Sequence, residues 1–123
     1  MFHNADVFQH LLKLERKRSE RSKKFFLLML IDLSLLNAQN DLKAIHHRIK
    51  EALTLSVREI DIRGWYNDGE VIGVIFTELD SSVVPKIEEI IISKVYNRLR
   101  SNLSAELIGK LDISWHVFPE TDE

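Results

Sequence analysis

R-E-I-D-I-R-G-W-Y-N-D-G-E-V-I-G-V-I-F-T-E-L, residues 58–79, is the stretch on which the fold turns. Two β-type segments flank the turn signal Asn67-Asp68-Gly69, and Asn-Gly and Asp-Gly type turns suit hairpins because their central residues need positive φ. After the turn, Val71, Ile72, Val74, Ile75 and Phe76 form an apolar, β-branched run of the kind that fills a buried strand. The spacing therefore predicts a β-hairpin whose second arm lies inside a sheet.

Working outward, the chain of 123 residues has the size of one domain, and 45% hydrophobic content lets it bury a core. The net charge of −2 gives no global pull toward a nucleic-acid polymer or a membrane. The absence of cysteine excludes disulfides and thiolate metal sites and fits a cytoplasmic setting. His3, Asn4 and Asp6 stand where a signal peptide would have a basic region, so none is expected. The longest apolar run, Phe25 to Ile31, falls short of the roughly 20 residues that span a bilayer.

In chain order, Asp6 is placed to cap a first helix whose stripe is Val7, Phe8, Leu11, Leu12 and Leu14. Residues 1–24 form a basic lead-in. Lys13 to Lys24 carries a net +5, so the remainder carries −7. That stretch reads either as an anion- or membrane-facing patch or as a solvated helical face. Phe25 to Leu33 is apolar on both alternating faces, which predicts a central strand covered on both sides, with Asp32 near its tip. Asn40 or Asp41 caps a helix with the stripe Leu42, Ile45, Ile49, Leu53 and Val57. His46 and His47 point about 100° apart on it and suit a surface or boundary better than a shared metal. Pro85 opens a further helix with the stripe Ile87, Ile90, Ile91, Val95, Leu99 and Leu103. Ile113 to Phe118 is a last strand, followed by Pro119 and an acidic tail.

This order predicts an α+β fold. It is a ferredoxin-like β-α-β-β-α-β antiparallel sheet with two helices on one face and an extra N-terminal helix, all within one domain, 1–123. The fold alone does not choose an activity.

Three segments together resemble the GGDEF, or diguanylate cyclase, family. The lead-in L-L-K-L-E-R-K-R-S-E-R-S-K-K-F-F-L-L-M-L is similar to that family's helix-to-strand passage. The hairpin is similar to its R-x-x-D, spacer, Tyr and G-G-[DE]-E-F pattern. Arg58 and Asp61 fall on the R-x-x-D, Tyr66 on the aromatic, and Asn67-Asp68-Gly69-Glu70-Val71 on the signature. L-D-I-S-W-H-V-F-P looks like its last core strand, and G-W-Y-x-x-G-x-x-I-G-V-I-F resembles cyclase-like modules found beside sugar transferases of exopolysaccharide synthesis. The resemblance implies a nucleotide-cyclase-like fold in bacterial signalling.

The departures bear on activity. In the family the two signature glycines let nucleotide approach bare backbone; here Asn67 and Asp68 put a side chain at each position. Asp68 also brings negative charge to where the resemblance would seat a triphosphate. The family's first strand ends in D-x-D, whereas Ile31-Asp32-Leu33 has one acid, displaced by one residue in the simplest alignment. The N-D-x-x-G-H stretch that follows in the family is missing. Asp32 and Glu70 remain a candidate pair for Mg²⁺, set against the reading of two solvated acids.

Arg58 and Asp61 are candidates for cyclic di-GMP, because Arg can pair with guanine O6 and N7 while a carboxylate accepts from N–H donors. The alternative is an ion pair beside the hairpin. Trp65 and Tyr66 are candidates to stack on a base, or else to pack against the sheet. The expectation is a non-catalytic regulatory or oligomerisation module, acting as a homodimer or with a partner protein and needing no cofactor. Alternatives are a cyclic di-GMP effector, an active diguanylate cyclase, and an unrelated ferredoxin-like interaction domain.

Overall fold

The computed structural model describes residues 1–80 and 84–119, with the side chains of residues 84 and 85 outside that description. In order it has β1 (Phe2–His3), α1 (Ala5–Ser22), β2 (Phe25–Asp32), a 3-10 turn (Ser34–Leu36), α2 (Leu42–Thr54), β3 (Ile62–Asn67), β4 (Val71–Leu79), α3 (Val84–Asn102), α4 (Ala105–Ile108) and β5 (Asp112–Phe118). The sheet runs β1-β3-β4-β2-β5. All pairs are antiparallel except β1 with β3, which is parallel. Without β1 this is the split-βαβ order. The fold class read from the sequence is the one observed, with a fifth strand added. Two residues have no periodicity to read, so β1 leaves no sequence signal.

The alternation in β2 sorts the core. Leu27, Met29 and Ile31 face α2 and α3, where they pack with Ile45, Ile49, Leu53, Val95 and Leu99. Phe26 and Leu28 face α1, where they pack with Phe8, Leu12 and Ile75. Burying such a side chain stabilises the fold by about 1.5–3 kcal/mol, so Phe8 and Leu12 are the main anchors of α1. Its stripe is narrower than the sequence suggested. Val7 and Leu14 are exposed, while Glu15 and Ser19 continue the buried line. The helix starts two residues earlier than an Asp6 cap would set it, because the Asn4 side chain accepts a bond from Val7 N. Asp41 caps α2 with φ 57° and makes no side-chain capping bond. In α3, Ile90 is exposed although the stripe included it, and Pro85 lies in the first turn. The acidic tail, residues 120–123, lies outside the described residues.

The hairpin turns differently from the sequence expectation. Within the turn only Gly69 takes a positive φ, 74°, and Glu70 N donates to Asn67 O at 3.1 Å. One left-handed residue at the third position is type II geometry rather than a turn with two such residues. The register slips by one at Tyr66, between the pairs Trp65↔Ile72 and Asn67↔Val71. Gly64 and Gly73 face one another across the hairpin. A Cβ on Gly73 would lie 2.4 Å from the Phe8 ring, so this glycine makes the seat for α1.

Candidate functional site

The sequence-derived candidates fall into two groups at opposite ends of the hairpin. At its base, Asp61 stands just before β3. A slip in the β2–β4 register puts Glu78 at φ 53°, beside Thr77. Asp61 Oδ1 accepts Thr77 N at 3.1 Å and Arg58 Nη2 at 2.8 Å. Its Oδ2 accepts Arg58 N at 2.8 Å and Arg58 Nε at 3.2 Å. Arg58 Nη2 also donates to Thr77 O at 2.6 Å. The Asp61 side chain is 1% exposed and that of Arg58 48%. Both carboxylate oxygens are therefore committed within the chain, and the surface left to a ligand is the outer edge of the guanidinium. Thr77, the third member of this clamp, was missed in the sequence. Its only signal is a threonine that ends the apolar run of β4.

At the tip, the Asp68 side chain accepts Ala5 N at 3.0 Å. A carboxylate there satisfies an orphan donor and meets the positive end of the α1 dipole. Gln9 Nε2 donates to Tyr66 O at 2.9 Å, a second tie between α1 and the hairpin. Asp68 thus fastens the bend to the helix. Asn67 and Glu70 are exposed and Val71 is half-buried.

Trp65 and Tyr66 point to opposite faces of the sheet, as neighbours on a strand must, so one ligand cannot stack on both. Trp65 meets Phe2 edge-on at 5.7 Å and His46 at 5.6 Å, with Lys50 Nζ 4.9 Å from its ring centroid. His46 Nε2 is enclosed without a partner, and desolvation first, then Lys50, lowers the His46 pKa. Tyr66 packs beside the Phe8 cluster.

Asp32 and Glu70 come together along the backbone, since Leu33 N donates to Glu70 O at 2.8 Å. The Asp32 carboxylate accepts Ser34 N at 2.9 Å, and this bond holds its pKa below the usual range. Asp112, not singled out in the sequence, lies directly across from Asp32 on β5. With Leu30, Tyr66, Val71 and Ser114 these two acids line a cleft of about 190 Å³. Mg²⁺ demands near-octahedral oxygen ligation. Among the described residues no group of three or more His, Asp or Glu converges to supply it. Asp32 and Asp112 are the carboxylates that a weakly held Mg²⁺ would meet at this cleft, with waters completing its shell. No helix among the described residues is long and apolar enough to cross a membrane.

The sequence matches no protein-family model and no curated protein. Solved structures do match. A DGC protein from Thermotoga maritima shares 20% identity at TM-score 0.71, over 98% of this chain and 84% of that one. Diguanylate cyclase SiaD of Pseudomonas aeruginosa, solved with its activator SiaC, shares 17% at TM-score 0.67, over 98% of this chain and 49% of that one. The GGDEF domain of DgcB from Caulobacter crescentus, solved with c-di-GMP, shares 17% at TM-score 0.60, over 94% of this chain and 71% of that one. With β2, its two covering layers and the β3–β4 hairpin in place, the chain has the fold of the GGDEF domains of diguanylate cyclases.

Proposed function

We propose that this chain is a non-catalytic, cyclase-like module of bacterial cytoplasmic signalling, which acts by holding a partner protein or a second copy of itself. The observation that carries this reading is the fastening of the hairpin tip. Asp68 occupies a bend that bare backbone would leave open, and its carboxylate is bonded to Ala5 N. A nucleotide seated there would displace that bond and meet a like charge. Asp32 is likewise engaged by Ser34. The link to exopolysaccharide synthesis rests on the sequence resemblance alone. Incubation with GTP and Mg²⁺ or Mn²⁺, followed by chromatography for cyclic di-GMP, tests the reading. No product above a protein-free control is expected, and sustained product formation overturns it.

A second reading is an effector that takes a cyclic dinucleotide on Arg58. It is favoured by the rigid presentation of that side chain, which Asp61 and Thr77 hold from behind while its other side faces solvent. Calorimetric titration with cyclic di-GMP separates the two. Heat that disappears in Arg58→Ala supports the effector role, and no heat in the wild-type chain leaves the scaffold role.

A further inference from the structure

The start of α1 is tied to the hairpin tip through Ala5 and Gln9, whereas Lys13, Lys17 and Arg21 take no part in either hairpin site. Among the described residues α1 is the single helix on its face of the sheet, opposite α2 and α3, so its outer side forms the crest there. Phe8, Leu12, Glu15 and Ser19 turn inward. On a 100° helical wheel His10, Lys13, Lys17 and Arg21 then point outward. All four are exposed, and Lys23 and Lys24 extend the row at the helix end. Val7 and Leu14 flank this row on one side, 41% and 48% exposed. Leu14, Lys17, Arg18, Arg21 and Ser22 line a shallow depression of about 420 Å³.

Acids do not neutralise this row. Glu15 is buried beside Arg18, and Arg18 in turn bridges to Glu78. Asp6 sits about two turns ahead of the basic segment, which leaves Glu20 as the acid on its exposed side. Lys13, Lys17, Arg21, Lys23 and Lys24 thus carry the charge of this ridge, with Arg16 turned over the Phe118 ring and Arg18 paired with Glu78, while the remainder of the chain is acidic.

We propose that the outer face of α1 docks on a bilayer containing anionic lipid, with the helix lying in the plane of the headgroups. The shape decides between occupants. The depression is shallow and confined to the C-terminal half of the helix, so the face gives an acidic peptide no groove along its length, whereas a planar surface contacts the whole helix. Lys and Arg stems lie over apolar surface while their charges reach phosphates, and Val7 and Leu14 supply apolar area at the headgroup boundary. Each basic residue brought to an anionic surface multiplies affinity about fivefold, so four or five suffice for reversible association.

Co-sedimentation of the full chain with phosphatidylcholine vesicles, with and without phosphatidylserine, tests this. Binding is expected only to the anionic vesicles, weakening steeply with added salt. Lys17→Glu/Arg21→Glu is expected to weaken it at least tenfold. Lys94→Glu/Arg98→Glu, the same charge change on exposed positions of α3, is expected to weaken it far less. All four positions are exposed, and circular dichroism confirms folding of each variant. The proposal is overturned by a wild-type chain that ignores anionic vesicles. It is equally overturned by a control variant that loses as much as the α1 variant, or by binding to poly-glutamate without binding to vesicles.

Discussion

Replacing Asp61 with alanine separates a structural clamp from a ligand site. In the clamp, four donors converge on one carboxylate that is 1% exposed: Thr77 N and three from Arg58. Removal strands the buried Thr77 N–H at a cost of about 1–3 kcal/mol, and the Arg58 donors add less because water reaches the guanidinium. The expected loss in Asp61→Ala is about 3 kcal/mol, or roughly 10 °C in Tm for a chain of this size. Asp61→Asn keeps an acceptor for Thr77 N and should lose about half as much. Arg58→Ala should cost about 1 kcal/mol, and the double variant should be less destabilised than the sum, since both act on one network. Urea unfolding followed by tryptophan fluorescence reads these values, with Trp65 and Trp115 as internal reporters. If Asp61→Ala shifts stability by less than about 0.5 kcal/mol, the carboxylate is not holding the hairpin base and the clamp argument fails.

Gly73→Ala should destabilise by about 1–3 kcal/mol, because its Cβ would strike the buried Phe8 ring, and Phe8→Leu in the same chain should restore part of the loss. Burial raises the Glu15 pKa above 4.5, partly offset by Arg18. The stability from this group is full below 4.5 and lost as pH rises through the folded-state value, so the Tm of Glu15→Gln relative to wild type should climb with pH. His46 has the opposite sign. With its pKa lowered from 6.5, its contribution is full above 6.5 and lost as pH falls below that toward the folded-state value. His46→Phe keeps a ring against Trp65 and should flatten this loss in thermal melts.

Much of the fold was legible because β2 is an unbroken apolar run that ends at Asp32 and the hairpin carries its own turn signal. Three features were not. β1 exists only through its pairing with β3, and two residues hold no pattern. The stripe of α1 continues through Glu15 and Ser19, which binary patterning assigns to solvent. The facing pair Gly64 and Gly73 reads as strand weakness, yet Gly73 admits the Phe8 ring and Gly64 the His3 backbone. At the candidate site, the sequence located Arg58, Asp61, Asn67, Asp68 and Asp32 but not their partners. Thr77, Ala5 and Asp112 become visible only when β4, α1 and β5 are laid beside them. Composition shows that Asp68 is acidic, and only topology shows that it serves the start of α1.

The most direct test of the central claim is a titration of the ¹⁵N-labelled chain with GTP and Mg²⁺, following the amides of Ala5 and of residues 67–70. The fastened hairpin tip predicts that these signals stay in place at saturating nucleotide. Saturable shifts confined to Ala5, Asp68 and Gly69 would show nucleotide displacing the Asp68 bond, and the bend would then be a binding site rather than a fastening.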